Sequence, residues 1–282
     1  MGREKNYRPV LPTDVTASFH DGVLGSMRSR TVGEPRRGVP EIVIVQGMTV
    51  SDYLLPGVGA LSSWTRVHLI DLPGCSGSGE PPHELSVTEF AASVADWLDS
   101  RRLGPVILAG HSSGTQVAAE TARRRPRDIV GVVLAGPTVD PIARGPVRVF
   151  ARWWADRRGD PKSLDEVHKP ERKRVGFRRL FHVLREHLRH DLEQPVAALT
   201  MPVLVIRGRD DRLSTPQWGR RVAALAGGSY IELPGTHSFC WRYPQSWSPP
   251  IQDLAGRVSR PSSAQHHVKS PDQRVSGDPA CS

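Results

Sequence analysis

Cysteine is scarce in these 282 residues. The three present, Cys75, Cys240 and Cys281, are an odd number at no metal-binding spacing. That pattern excludes a disulfide framework and a zinc module, and it reads as free thiols of a reducing compartment, so the expected location is cytoplasmic. No run of 18 or more apolar residues occurs, and no membrane association is expected. The opening residues, Met1-Gly2-Arg3-Glu4-Lys5-Asn6, lack the apolar stretch of a secretory signal, and Asn6 stands where a myristoylation motif wants Ser or Thr. Lysine is rare beside arginine, yet the formal net charge is +9. Most of the excess sits between Arg144 and Asp191, where fourteen Lys and Arg face seven Asp and Glu. No nucleic-acid reader motif accompanies the charge, so no nucleic-acid partner is expected. A basic surface can steer an anionic ligand, although a bias toward Arg also produces such a count.

What is present centres on residues 105–120. Val106 to Ala109 is a short apolar run of the kind a strand buried on both faces presents. A helix pattern follows, with Val117, Ala118 and Ala122 facing inward. Between them lies Gly110-His111-Ser112-Ser113-Gly114, which fits G-x-S-x-G, a sharp strand-to-helix turn that exposes a serine hydroxyl. A side chain at Gly110 or Gly114 would crowd the neighbouring strand or helix.

The remaining chain has a strand-helix rhythm. Val15–His20 and Leu24–Thr31 predict two strands turning at Asp21-Gly22, and residues 41–45 predict a central strand. Ser51-Asp52 can cap a short helix through Leu61. Residues 66–70 predict a strand, and the glycines from Gly74 to Gly79 then form a wide turn. They are not a phosphate loop, because no helix begins at their end and the Walker lysine is missing. Ser86-Val87-Thr88-Glu89 is a capping box opening a helix with Phe90, Val94, Trp97 and Leu98 on one face. Residues 129–135 predict another strand. Alternation of this kind implies a mostly parallel α/β sheet. From Thr138 to about Thr200 the pattern is helical, with Trp153, Trp154, Phe177, Leu180, Phe181, Leu184 and Leu188 as its apolar positions. Strands resume at residues 202–208 and 229–233, and a disordered tail is expected over 259–282. The organisation is therefore a core in two parts, 1–137 and 201–258, interrupted by a helical cap over 138–200.

Taken together, these motifs resemble the α/β-hydrolase superfamily in its lidded form, over roughly Val15 to Val258. The resemblance implies an eight-stranded, mostly parallel sheet with helices on both faces and an inserted lid. It also implies a triad in the chain order Ser, acid, His. Ser112 matches the nucleophile. Gly208-Arg209-Asp210-Asp211 matches the acid turn and gives Asp211, with Asp210 the neighbour a one-residue error would choose. Pro234-Gly235-Thr236-His237 matches the histidine loop. His237 would take the Ser112 proton, and Asp211 would hold the imidazole tautomer. The N–H groups of Met48 and Ser113 would bind the oxyanion, each worth roughly 3 kcal/mol.

The departures are informative. Gln46-Gly47 stands where the family usually has His-Gly, and the longer Gly-rich loop of ring-cleavage hydrolases is missing. Ser112 argues against the dehalogenase and epoxide hydrolase branches, which place Asp at the elbow, and Thr115 replaces a glycine usual in perhydrolases. Asp140 is an alternative acid position but reads better as a hinge or helix-start residue. Gln46, Gly47, His111, Trp153 and Trp154 are the candidate substrate-binding residues. Of the histidines from His182 to His190, His187 and His190 have the i, i+3 spacing of a metal pair but no supporting ligands, so they read as solvated and no metal is expected. Asp71 resembles a structural loop-capping residue. The expected activity is a cofactor-independent serine hydrolase acting on an ester or thioester, or a C–C bond, of a small apolar acyl compound, which the basic segment would allow to be anionic. The alternative is a silent, cyclising, acyl-transferring or ligand-binding member of a biosynthetic pathway.

Overall fold

The computed structural model describes residues 6–259; Cys281 and nearly all of the expected tail lie outside them. Eight strands form one sheet in the order β1 (Thr16–Gly22), β2 (Gly25–Val32), β4 (Val67–Asp71), β3 (Ile42–Val45), β5 (Val106–His111), β6 (Ile129–Ala135), β7 (Val203–Gly208), β8 (Ser229–Leu233). β2 pairs antiparallel with β1 and with β4, and every other pairing is parallel. The first hairpin turns at Val23-Leu24, two residues later than Asp21-Gly22, because Gly22 pairs with Gly25.

The continuous apolar runs of the central strands follow from burial on both faces. In β3, Val43 and Val45 join one core cluster while Ile42 and Ile44 join the other, and β7 divides Val203 and Val205 from Leu204 and Ile206 in the same way. Helices α2 (Val87–Arg101), α3 (Gly114–Arg124) and α7 (Pro216–Leu225) cover one face. Helices α1 (Leu55–Ser62), α8 (Phe239–Arg242) and α9 (Ser248–Val258) cover the other. The capping box forms as the spacing requires: Ser86 Oγ accepts the Glu89 N–H, and the Glu89 carboxylate accepts the Ser86 N–H at 2.8 Å. Ser51 does not cap α1; its hydroxyl is drawn instead into a buried cluster with Arg30 and Glu171.

Between β6 and β7 the chain leaves the sheet and forms α4 (Pro146–Asp156), α5 (Lys162–Arg189, bent at Gly176) and the short α6 (Glu193–Ala197). Three histidines tie α5 and its end to the core, so they are not solvated. His187 is buried and bonds Gln116 Oε1 at 2.6 Å, His190 lies 3.1 Å from the Glu120 carboxylate, and His182 donates to the Leu85 carbonyl at 2.9 Å. The chain runs from β3 to β4 on one side and returns to β5 on the other. That reversal opens a crevice at the carboxyl ends of the strands.

Candidate active site

Ser112 occupies the turn between β5 and α3 with left-handed backbone, φ 57°. Two glycines make the turn possible. A Cβ on Gly110 would lie 2.3 Å from the Gly114 carbonyl oxygen, and one on Gly114 would lie 2.3 Å from that of Gln46. Both clashes are with backbone, which cannot swing aside. α3 begins two residues after Ser112, so its free N–H groups and positive dipole end serve this turn.

β7 and β8 bring in an acid and a base. Buried Arg207 holds the turn after β7 by donating to the carbonyl oxygens of Ser214 at 2.9 Å and Asp211 at 2.7 Å. Asp211 Oδ1 accepts the N–H groups of Leu213 and Ser214, both at 2.8 Å, which leaves Oδ2 to accept from His237 Nδ1 at 2.8 Å. Gly136, after β6, leaves room for this pair: its missing Cβ would lie 3.0 Å from His237 Cε1. With Nδ1 donating, the neutral ring keeps a lone pair on Nε2, which is buried and has no hydrogen-bond partner among the described residues. Ser112 and His237 line one cavity, but no hydrogen bond joins Ser112 Oγ to Nε2 among the described residues. Burial opposes a charge on the ring, whereas Asp211, Asp156 and Asp160 favour it, and the pKa settles at about 8.

Asp156, at the end of α4, has no motif to announce it. It is buried; Oδ1 accepts the Arg212 N–H at 2.8 Å and Oδ2 the His237 N–H at 3.1 Å. One side chain thus ties the acid turn to the histidine loop. Burial pushes its carboxyl up to about 7, against the pull of His237. Asp160 is likewise raised by burial and accepts from Thr236 Oγ1 at 2.5 Å.

His111 lies against the pair. Its Nε2 donates to the His237 carbonyl at 2.9 Å and its Nδ1 accepts from the Tyr53 hydroxyl at 2.6 Å. Burial and the neighbouring His237 push its pKa down to about 3, so it is neutral and positions the loop. Met48, left-handed at φ 40°, donates its N–H to Ser113 Oγ at 2.7 Å. That bond occupies the N–H expected to face an oxyanion.

The cavity holds about 380 Å³ under a roof that includes Val149, Phe150, Trp153, Leu180 and Leu184. Gly47, His111 and Trp153 line it, while Gln46 and Trp154 do not. Gln46 points behind the loop, where Oε1 accepts from Ser76 Oγ at 3.0 Å. Trp154 follows Trp153 by about 100° around the helix. It is half exposed, with the Arg158 guanidinium 3.7 Å from its ring centre. Among the described residues Asp140 shares no hydrogen bond with His237, whose Nδ1 is taken by Asp211. It caps the short turn at 141–143 and takes Arg152 at 3.1 Å and Thr215 Oγ1 at 3.0 Å, which is a hinge role. Asp71 anchors Arg28 and the Gly77 N–H, also a structural role. Among the described residues no group of three or more His, Cys, Asp or Glu could hold a metal, and no helix is long and apolar enough to cross a membrane.

Comparison with known proteins matches residues 42–249 to the model of a family described as the alpha/beta hydrolase family. A 1-acylglycerol-3-phosphate O-acyltransferase of Arabidopsis thaliana is 33% identical over 109 residues, 36% of this chain and 26% of that protein. The chain thus aligns with about a quarter of the length of the first curated relatives it matches. Among solved structures, a hydrolase from Pseudomonas aeruginosa PA01 superposes with a TM-score of 0.68 at 23% identity, over 86% of this chain and 98% of that one. The haloalkane dehalogenase DbeA from Bradyrhizobium elkani USDA94 reaches 0.71 at 18% identity, over 87% and 99%. At such identities the likeness carries the fold and not the chemistry.

Proposed function

Because the chain belongs to the alpha/beta hydrolase family, we propose that it is a cofactor-independent serine hydrolase cleaving an ester or thioester of a small apolar acyl compound. Ser112 Oγ attacks the carbonyl carbon while His237 Nε2 takes its proton. The resulting oxyanion is held by the N–H groups of Ser113 and Met48, once Ser113 Oγ has released the latter. The imidazolium, oriented by Asp211, returns the proton to the leaving alcohol or thiol. Water then repeats the sequence on the acyl-enzyme. The observation that carries this reading is the 2.8 Å bond from His237 Nδ1 to Asp211, which leaves Nε2 free over the cavity that Ser112 lines.

The test is labelling with a fluorophosphonate, followed by mass mapping. Ser112 is expected to carry the label, and Ser112→Ala to abolish it and lower turnover of a short 4-nitrophenyl ester by about 10³-fold or more. A folded wild type that does not label removes the nucleophile from the account.

A second reading, acyl transfer, is favoured by the acyltransferase relatives. It uses the same acyl-enzyme but resolves it with an acceptor alcohol. Product partition between acid and ester in added alcohol separates the two.

A further inference from the structure

The cavity is apolar apart from a few charged groups, and all but one of these have strong partners. Asp156 and Asp160 accept hydrogen bonds from the histidine loop, Arg152 pairs with Asp140 at 3.1 Å, and Arg157 pairs with Asp165. Arg172, half-buried on α5, has no carboxylate within ion-pair distance among the described residues. The carboxylates nearest in influence are otherwise engaged: Asp165 with Arg157, and Glu171 with the N–H groups of Ser51 and Asp52. Among the described residues Arg172 has two aromatic partners. Its Nη2 donates to His168 Nδ1 at 3.3 Å, and its guanidinium lies 5.4 Å from the Trp153 ring centre.

His168 supplies a second, independent observation. It is buried, lines the same cavity, and stands one helical turn from Arg172 on the same face. Because its Nδ1 accepts, its ring proton sits on Nε2, and that donor has no acceptor among the described residues. Buried donors without partners are rare in folded proteins and call for an explanation. The site is also close to the elbow. The Tyr53 ring centre lies 5.3 Å from that of His111 and 5.1 Å from that of His168.

We propose that Arg172 and His168 form a subsite for an oxyanion, a carboxylate or phosphate, carried by the substrate at the end of a short apolar segment remote from the scissile bond. The guanidinium fork matches either group with two parallel hydrogen bonds, and His168, whose Nδ1 takes a third guanidinium N–H, holds the fork in place. Which bond is broken rests on the hydrolase reading; the subsite itself does not.

The experiment therefore measures binding first. Ser112→Ala protein is titrated calorimetrically with hexanoate, hexyl phosphate and neutral hexanamide. At least one anion is expected to bind tenfold or more tighter than the amide, and the tighter of the two identifies the oxyanion. Arg172→Gln should bring the anion to the amide's level and Arg172→Lys should retain part of the preference. Arg158→Gln, an exposed cation on the same insertion, should leave the preference intact. Anions that bind no better than the amide overturn the proposal, as does an equal loss in the Arg172 and Arg158 variants. With Ser112 present, mono-4-nitrophenyl adipate should be cleaved with a tenfold higher kcat/KM than 4-nitrophenyl hexanoate. Anion binding without cleavage of either ester would sink the hydrolase reading alone, and cleavage of both without preference would sink the subsite alone.

Discussion

His237 is where burial and charge compete most directly. Burial alone would keep the ring neutral, yet three carboxylates raise its pKa to about 8. As the proposed general base it would work only when unprotonated, so activity should be lost as pH falls through about 8. On the hydrolase reading, kcat/KM should rise about tenfold per pH unit below that value and level off above it. Asp211→Asn removes the strongest of the raising influences. It should move the limb to lower pH and reduce kcat by about 10⁴-fold, since the tautomer is no longer held. Asp140→Asn should cost far less. A pH profile unmoved in Asp211→Asn, or a larger loss at Asp140, transfers the acid role. The same ion pair stabilises the fold fully below the unfolded-state value near 6.5, and that contribution fades as pH rises through about 8.

At the scale of elements, the insertion is bound into the site rather than laid over it. Asp156 accepts an N–H from each of the two loops that carry Asp211 and His237. Asp156→Ala strands both donors and should lower kcat by about 10- to 100-fold, with a smaller effect on KM. Asp156→Asn keeps one acceptor oxygen and should fall between. Equal changes in KM and kcat/KM would point to a cavity-wall residue instead. The elements that were legible in the sequence are those with a local physical signal. The central strands were given by continuous apolar runs, α2 by its capping box, and the elbow by two glycines whose spacing the backbone contacts explain. The turns that hold Ser112, Asp211 and His237 were legible because each follows a strand. Asp156, Glu171 and Gly136 were not, since their work is done on backbone N–H groups or by absent volume, and neither leaves a spacing rule. Trp154 was paired with Trp153 by adjacency, which a helix turns into divergence. α9 opens on Pro249 and Pro250, which lie in its first turn, where proline is tolerated.

The whole molecule adds a field to these contacts. Its net charge of +9 is concentrated in the segment that roofs the cavity, where Lys and Arg outnumber Asp and Glu fourteen to seven. Such a surface raises the encounter rate of an anion over a range set by the Debye length, about 30 Å at 0.01 M salt and about 8 Å at 0.15 M. Steering and capture are separable, because steering sums many exposed cations and capture depends on Arg172. For an anionic ester, kcat/KM should fall several-fold between those salt concentrations, while a neutral ester of the same length should change little. In Arg172→Gln the preference for the anion should collapse, yet most of the salt dependence should survive, since one cation of fourteen has been removed. A salt response that disappears with Arg172 would mean that the field is local to one guanidinium. An anionic ester indifferent to salt would mean that the arginines of the insertion serve packing and ion pairing within the fold, and that charge plays no part in bringing substrate to Ser112.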